Sequence, residues 1–313
     1  MDQPRLTLLG DGSRLRLSHG PIDVVVEAWG EAAEVAAAYG QAARDFQAVL
    51  PDLLQELSPL RQPLGETPPV LRGPVARRML AAVWPHRAVF VTPMAAVAGA
   101  VADHLLERLA RGRRLSRAYV NDGGDVAFGL AQGQSLTFGH AAEIADARLA
   151  DVLLLAQTDP ARGLATSSRG RRSLSFGIAD AVTVLAASAA AADAAATLIG
   201  NAVDLDHPAI RRRPACALDP TSDLGERLVT VEVGALEPEA VAQALANGAR
   251  LAQRMLQDGL LDGACLRLDG QRRVVGTVRL SGRTDDHDEP EEDAPGGARS
   301  AAARPRGLLD ARP

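Results

Sequence analysis

The chain has 313 residues, 47% of them apolar and 3% aromatic, with a formal net charge of −5. That length supports one large domain or two around a core of small aliphatic side chains, and the acidic balance excludes a nucleic-acid binder, which needs a basic face. Every basic residue is Arg and none is Lys, which excludes a Schiff base and a lysine general base. Cys216 and Cys265 show no CxxC spacing and stand in short apolar contexts, which predicts buried thiols in a reducing, cytoplasmic setting. The N-terminus lacks a basic stretch followed by an apolar one, and the apolar run around residues 179–192 is broken by Asp180, Thr183 and Ser188. Neither export nor membrane spanning is therefore expected.

From the start, Arg5 to Val26 alternates as two strands joined by Gly10-Asp11-Gly12-Ser13. Glu31 to Leu54 has helical spacing, and Pro51 is expected to break it. Residues 58–74 are Pro and Gly rich, an ordered loop or internal linker. Pro74 to Val83 reads as a short helix and Ala88 to Val91 as a strand. Thr92-Pro93 is a helix entry, because Thr can cap free amides and Pro is preset for the first turn; the helix runs to about Ala110 and stops near Gly112. Its first turns, Met94 to Ala100, carry only small or apolar side chains. Either another backbone packs closely there or a phosphate lies against the exposed amides. Ala118 to Val120 is a strand running into Asn121-Asp122-Gly123-Gly124-Asp125, a turn that suits either a ligand or an ordinary hairpin.

Polar chemistry concentrates between Gly163 and Asn201. Thr166, Ser167 and Ser168 place hydroxyls where an apolar segment ends, and Arg169, Arg171 and Arg172 follow, suited to an anion or simply solvated. Ile178 to Leu185 is β-branched enough for a strand, with Asp180 near its start. In the alanine-rich helix after it, Asp193 and Thr197 are four residues apart, so their oxygens leave one face. Such a pair holds Mg²⁺ together with waters and phosphates, or is a solvated or locally capped pair.

Asp204 to Pro208 is turn material that exits this helix, and Arg211 to Pro214 continues the loop. Leu228 to Val233 is a strand, and Pro238 opens an amphipathic helix to about Asp258 with Gly259 as its stop. Cys265 to Leu268 and Arg273 to Leu280 form a hairpin around Asp269-Gly270. The composition then becomes acidic with Pro, Gly and Ala, which predicts one α+β domain over residues 1–280 and a disordered tail over 281–313.

Four stretches in order, Thr92 to Asp103, Val120 to Val126, Ala165 to Ser168 and Ala192 to Thr197, resemble the motif set of the ApbE superfamily, the FAD:protein FMN transferases. The run from Gly73 to about Asp204 looks most like an uncharacterised protein family branch of it. The resemblance implies an α+β fold with mixed or antiparallel sheets and packed helices. It implies a nucleotide site at Thr92, Gly99, Asn121, Gly123, Gly124, Asp125, Thr166, Ser167 and Ser168, Mg²⁺ ligands at Asp193 and Thr197, and a catalytic role for Asp180. The activity implied is transfer of FMN from FAD to a Thr or Ser of an acceptor protein, with AMP leaving. The ligand is then FAD or another phosphorylated small molecule, and homo-oligomers are allowed. This sequence departs from the family at Ala98, where the family has lysine, and at Gly177, where it has histidine. A chain with those departures also fits a non-catalytic ligand-binding or accessory protein.

Overall fold

The structure, a computed structural model, describes residues 3–10, 12–141, 149–169 and 174–282. A nine-stranded antiparallel sheet in the order β1-β2-β3-β4-β5-β8-β9-β12-β13 forms its middle layer. The strands are β1 Arg5–Leu9, β2 Arg14–His19, β3 Ile22–Gly30, β4 Leu115–Asp122, β5 Asp125–Leu130, β8 Gly163–Ser167, β9 Ala181–Ala186, β12 Gly263–Leu268 and β13 Gln271–Gly276. Alternation decides which face each residue takes. Leu17, Val24, Val26, Val120, Ala127, Ala165, Val182 and Val184 point into one core with the helices, while Val126, Phe128, Leu164 and Leu185 point into a second core on the opposite face.

The helical layer comprises α1 Ala32–Gln55, α2 Leu57–Leu60, α3 Pro74–Val83, α4 Val97–Ala110, α5 Ala189–Ala202 and α6 Pro238–Gln257. α1 packs on β2 and β3, α4 on β4 and β5, α5 on β8 and β9, and α6 on β12 and β13. The second core is closed by a three-stranded sheet in the order β14-β7-β6, from Ser135–Ala141 (β6), Leu149–Ala156 (β7) and Leu280–Gly282 (β14). The α+β class with antiparallel sheets and packed helices is as expected.

Several local expectations are corrected. The first stretch makes three strands, because Gly20 takes a positive φ of 57° and turns the chain again before Val26. Pro51 does not end α1; burial of Val49, Leu50 and Leu53 holds the final turn despite the lost amide. Ala88 to Val91 joins no ladder. Its Phe90 instead packs on Phe176, with ring centroids 6.0 Å apart. Arg211 to Pro214 is not loop but most of strand β10 (Ile210–Pro214), paired with β11 (Leu228–Val233). β13 ends at Gly276, and Leu280 belongs to β14, paired with β7. Ser281 and Gly282, expected in the tail, extend that strand, and the remainder of the tail lies outside the described residues. Cys265 is buried as expected, whereas Cys216 is only half-buried and donates to Glu226 Oε1 at 3.1 Å.

Candidate functional site

The site is built where α4 and α5 cross above the start of β5. Gly99 is there because no side chain fits: a Cβ would lie 2.3 Å from the Ala189 carbonyl oxygen. The small-residue stripe of α4 therefore serves close backbone packing. At this crossing each helix caps the other. Asp103 of α4 accepts from the first amides of α5, Ala189 N at 3.0 Å and Ala190 N at 2.9 Å. Asp193 of α5 accepts from Gly99 N, in the first turn of α4, at 3.1 Å. These amides have no partner within their own helices, so both carboxylates meet the positive end of a helix dipole.

The two caps differ in what else surrounds them. Burial pushes the Asp103 carboxyl up, and the Ala190 and Ala189 amides and the Arg78 guanidinium draw it back down. Around Asp193 the influences mostly add. Burial comes first and the Asp125 charge second, with Asp122 adding a smaller push; the Gly99 amide draws down, and the carboxyl is held well above the usual carboxylate range. Asp122 and Asp125 are register partners across the β4–β5 hairpin and alternate onto the helical face of the sheet. The charges of Asp125 and Asp122 thus both act on Asp193 beneath the helix crossing.

The Asn121-to-Asp125 turn is a hairpin turn as well as the floor of this cleft. Gly123 and Gly124 take φ of 66° and 113°, and Gly124 N donates to Asn121 Oδ1 at 2.8 Å. Asp125 Oδ1 accepts from Thr166 N at 3.3 Å, which ties the turn to the end of β8. Ser167 alternates onto the helical face and its hydroxyl lies against Gly200 of α5, while the Thr166 hydroxyl bonds Thr183 at 3.0 Å on the opposite face. The buried Ser168 hydroxyl has no partner among the described residues. Thr197 follows Asp193 by one turn on the same face of α5.

The structure therefore brings Gly99, Asp125 and Asp193 together, with Asn121, Gly123 and Gly124 in the turn beside Asp125 and the Thr166 amide on the Asp125 carboxylate. The Thr166 hydroxyl on Thr183 and the Ser167 hydroxyl at Gly200 lie outside that cluster, and Thr92 and Asp180 are engaged elsewhere. Thr92 caps no amide, because the chain enters a 3-10 turn at Pro93–Ala96; its buried hydroxyl donates to Asp223 Oδ2. Asp180 Oδ1 accepts from Arg169 at 3.1 Å and its Oδ2 accepts from Asp269 N at 2.6 Å, fastening the β12–β13 turn. It sits beside Arg169, two residues beyond the end of β8, away from the Gly163 end where α5 begins. Gly177 also belongs to that far end, where a Cβ would lie 2.1 Å from the Gly200 carbonyl oxygen. Arg171 and Arg172 lie outside the described residues.

Asp103 and Asp122 escaped sequence reasoning as functional residues. Asp103 lies one turn beyond Gly99 on the same face of α4, so the small-residue stripe was the available signal. Among the described residues, no three His, Cys, Asp or Glu side chains converge closely enough to hold an ion by themselves. One or two carboxylates and a hydroxyl remain, a set that suits Mg²⁺ when waters and ligand phosphates complete its shell. The negative potential that Asp125 and Asp122 place on Asp193 fits that requirement.

The family described as AbpE bacteria matches residues 6–274. The chain belongs to that family. Among curated proteins, this chain is similar to a UPF0280 protein of Methanothermobacter thermautotrophicus, 35% identical over 49% of this chain and 55% of that protein. A UPF0280 protein of Methanothrix thermoacetophila is 33% identical over 52% of this chain and 64% of its own length. One of Methanopyrus kandleri is 38% identical over 45% of this chain and 56% of its own. The chain thus spans between 55% and 64% of the length of these relatives. Solved structures with a loose likeness include a variant of the flavin transferase ApbE from Vibrio cholerae, with a TM-score of 0.46 and 11% identity over 84% of this chain and 96% of that one. Another is the apo flavinyl transferase ApbE of Pseudomonas stutzeri, with a TM-score of 0.45 and 13% identity over 88% and 96%. Among the described residues no helix is long and apolar enough to cross a membrane.

Proposed function

We propose that the cleft beneath the α4–α5 crossing binds a nucleotide or flavin-type phosphorylated ligand together with Mg²⁺, and that its finer activity is transfer of FMN from FAD to a Thr or Ser of an acceptor protein. The observation that carries this reading is Asp193, which accepts from the Gly99 amide while burial and the charges of Asp125 and Asp122 hold its carboxyl well above its ordinary range. A bound divalent ion offsets that charge and the charge of a pyrophosphate. Asp193 and Thr197 hold the ion, and Asp125 holds the β8 end in place through the Thr166 amide. The glycines of the turn let a ligand approach the backbone.

A second reading, an accessory protein that binds the ligand without transferring it, is supported by Gly177 and Asp180. The space for a side chain at Gly177 is filled by the Gly200 carbonyl, and both Asp180 carboxylate oxygens are already used. Calorimetric titration of the protein with FAD, with and without Mg²⁺, followed by mass spectrometry of the mixture, separates the two. Mg²⁺-dependent binding with AMP release supports transfer, binding without products supports the accessory role, and Mg²⁺-independent behaviour removes both.

A further inference from the structure

The two edges of the nine-stranded sheet are finished differently. β13 carries Arg272 and Arg273 at successive positions, one on each face, with Arg273 opposite Leu266 on the core-side face, and α6 packs on that edge. Charge on an edge strand keeps other chains from pairing with it. β1 has no such device. It lies between Pro4 and Gly10 and reads Arg5-Leu6-Thr7-Leu8-Leu9, with its single charge, Arg5, at one end. It pairs with β2 through consecutive residues without a bulge, and no strand among the described residues pairs with its other side.

Alternation puts Leu6 and Leu8 on the core-side face, opposite Leu17 and Leu15. Leu17 and Leu15 are buried in the helical core, whereas Leu6 and Leu8 are 47% and 62% exposed, because α1 packs on β2 and β3. The apolar row of the core thus runs on past its covering helix onto an open edge.

The residues of β1 also decide what fits there. Placed antiparallel to itself about Thr7, the strand sets Leu6 against Leu8, Leu8 against Leu6 and Arg5 against Leu9. No like charges meet, and each exposed leucine gains an apolar neighbour on its own face. A slip of one residue sets Leu6 against Thr7 and turns the leucines of the two copies to opposite faces. We propose that a second copy of this chain pairs with β1 antiparallel about Thr7, continuing the sheet through a two-fold axis with the helical layers of both copies on one side. The contact is small beside the roughly 1,600 Å² of a standard interface, so the dimer dissociates in the micromolar range. It does not depend on the reading of the cleft at Asp193.

The test is sedimentation equilibrium of the whole chain over about 1–200 µM, across which the parent passes from monomer to dimer. Leu6→Glu with Leu8→Glu sets like charges against each other twice and weakens dimerisation about tenfold or more. Leu6→Glu with Leu8→Arg sets unlike charges against each other at the same places, and that chain dimerises about tenfold more tightly than the like-charged one. Both double substitutions fall on exposed positions, so each controls for the folding of the other. On mild oxidation Thr7→Cys gives a disulfide-linked dimer that the parent, with Cys216 and Cys265, does not give. A parent that stays monomeric, an oppositely charged chain no tighter than the like-charged one, or a Thr7→Cys chain that cross-links no more than the parent overturns the proposal and leaves β1 a solvated edge.

Discussion

The two ends of the unit formed by β9 and α5 handle buried polar groups differently. At the far end, Asp180 is held by Arg169 and the Asp269 amide, Asn201 Oδ1 accepts from Ser175 Oγ at 3.1 Å and Phe176 N at 3.0 Å, and Gly177 packs against Gly200. Negative charge is matched there by a cation and by amides. At the near end, Asp193 is matched by the Gly99 amide, while Asp125 and Asp122 add charge of its own sign. Matched charge fastens a fold. Like charge gathered around a buried carboxyl is a requirement that a ligand meets, and that difference, more than acidity alone, separates Asp193 from Asp180 as a candidate for chemistry.

The largest effect expected from breaking this contrast is at the glycines. Gly163→Ala places a Cβ 2.0 Å from the Ser188 backbone carbon, and Gly177→His drives a ring into the Gly200 carbonyl. Each costs about 3 kcal/mol or more, read as loss of soluble protein or a large fall in denaturant midpoint. Next is Asp103→Ala, which strips two amides of their acceptor at the start of α5 and costs about 1–2 kcal/mol in chemical denaturation. Ligand binding weakens with it, because α5 carries Asp193.

Smaller again is the response to pH. Asp193 has a raised pKa in the folded state, so its contribution favours the fold below the ordinary Asp range and is lost as pH rises through the raised value. Asp193→Asn therefore melts higher than the parent at pH 8 without Mg²⁺, by about 2–4 °C for each 1 kcal/mol relieved, and the gap closes as pH falls. A gap that stays constant with pH contradicts the charge assignment. The smallest effect belongs to Asp180→Ala, a partly exposed clasp whose loss costs about 1 kcal/mol and leaves ligand affinity unchanged. Loss of ligand binding in that variant moves the functional centre to the far end.

Much of this was legible in the residues. Pro74 and Val83 bound α3 as read, Pro238 and Gly259 frame α6, and Asp269-Gly270 turns the β12–β13 hairpin, because each signal is a local backbone preference. Gly20 was missed as a turn, since the alternation of β2 and β3 continues across it. Arg211, Arg212 and Arg213 hid β10, which is a strand because β11 pairs with it. The site was half legible. Asp193 and Gly99 stood out by spacing and size, but that Asp193 caps α4 while Asp103 caps α5 depends on how two helices cross, which no spacing records. Asp180 was legible as a carboxylate and illegible as a clasp, because its partners come from Arg169 and from the distant Asp269.

The most direct measurement is calorimetric titration of FAD into the parent chain and into Asp193→Asn, each with and without Mg²⁺. Tight binding by the parent only when Mg²⁺ is present, with that dependence abolished in Asp193→Asn, is the predicted result. Equal FAD affinity in both proteins, indifferent to Mg²⁺, contradicts the assignment of Asp193 at the α4–α5 crossing to a metal-assisted phosphate site.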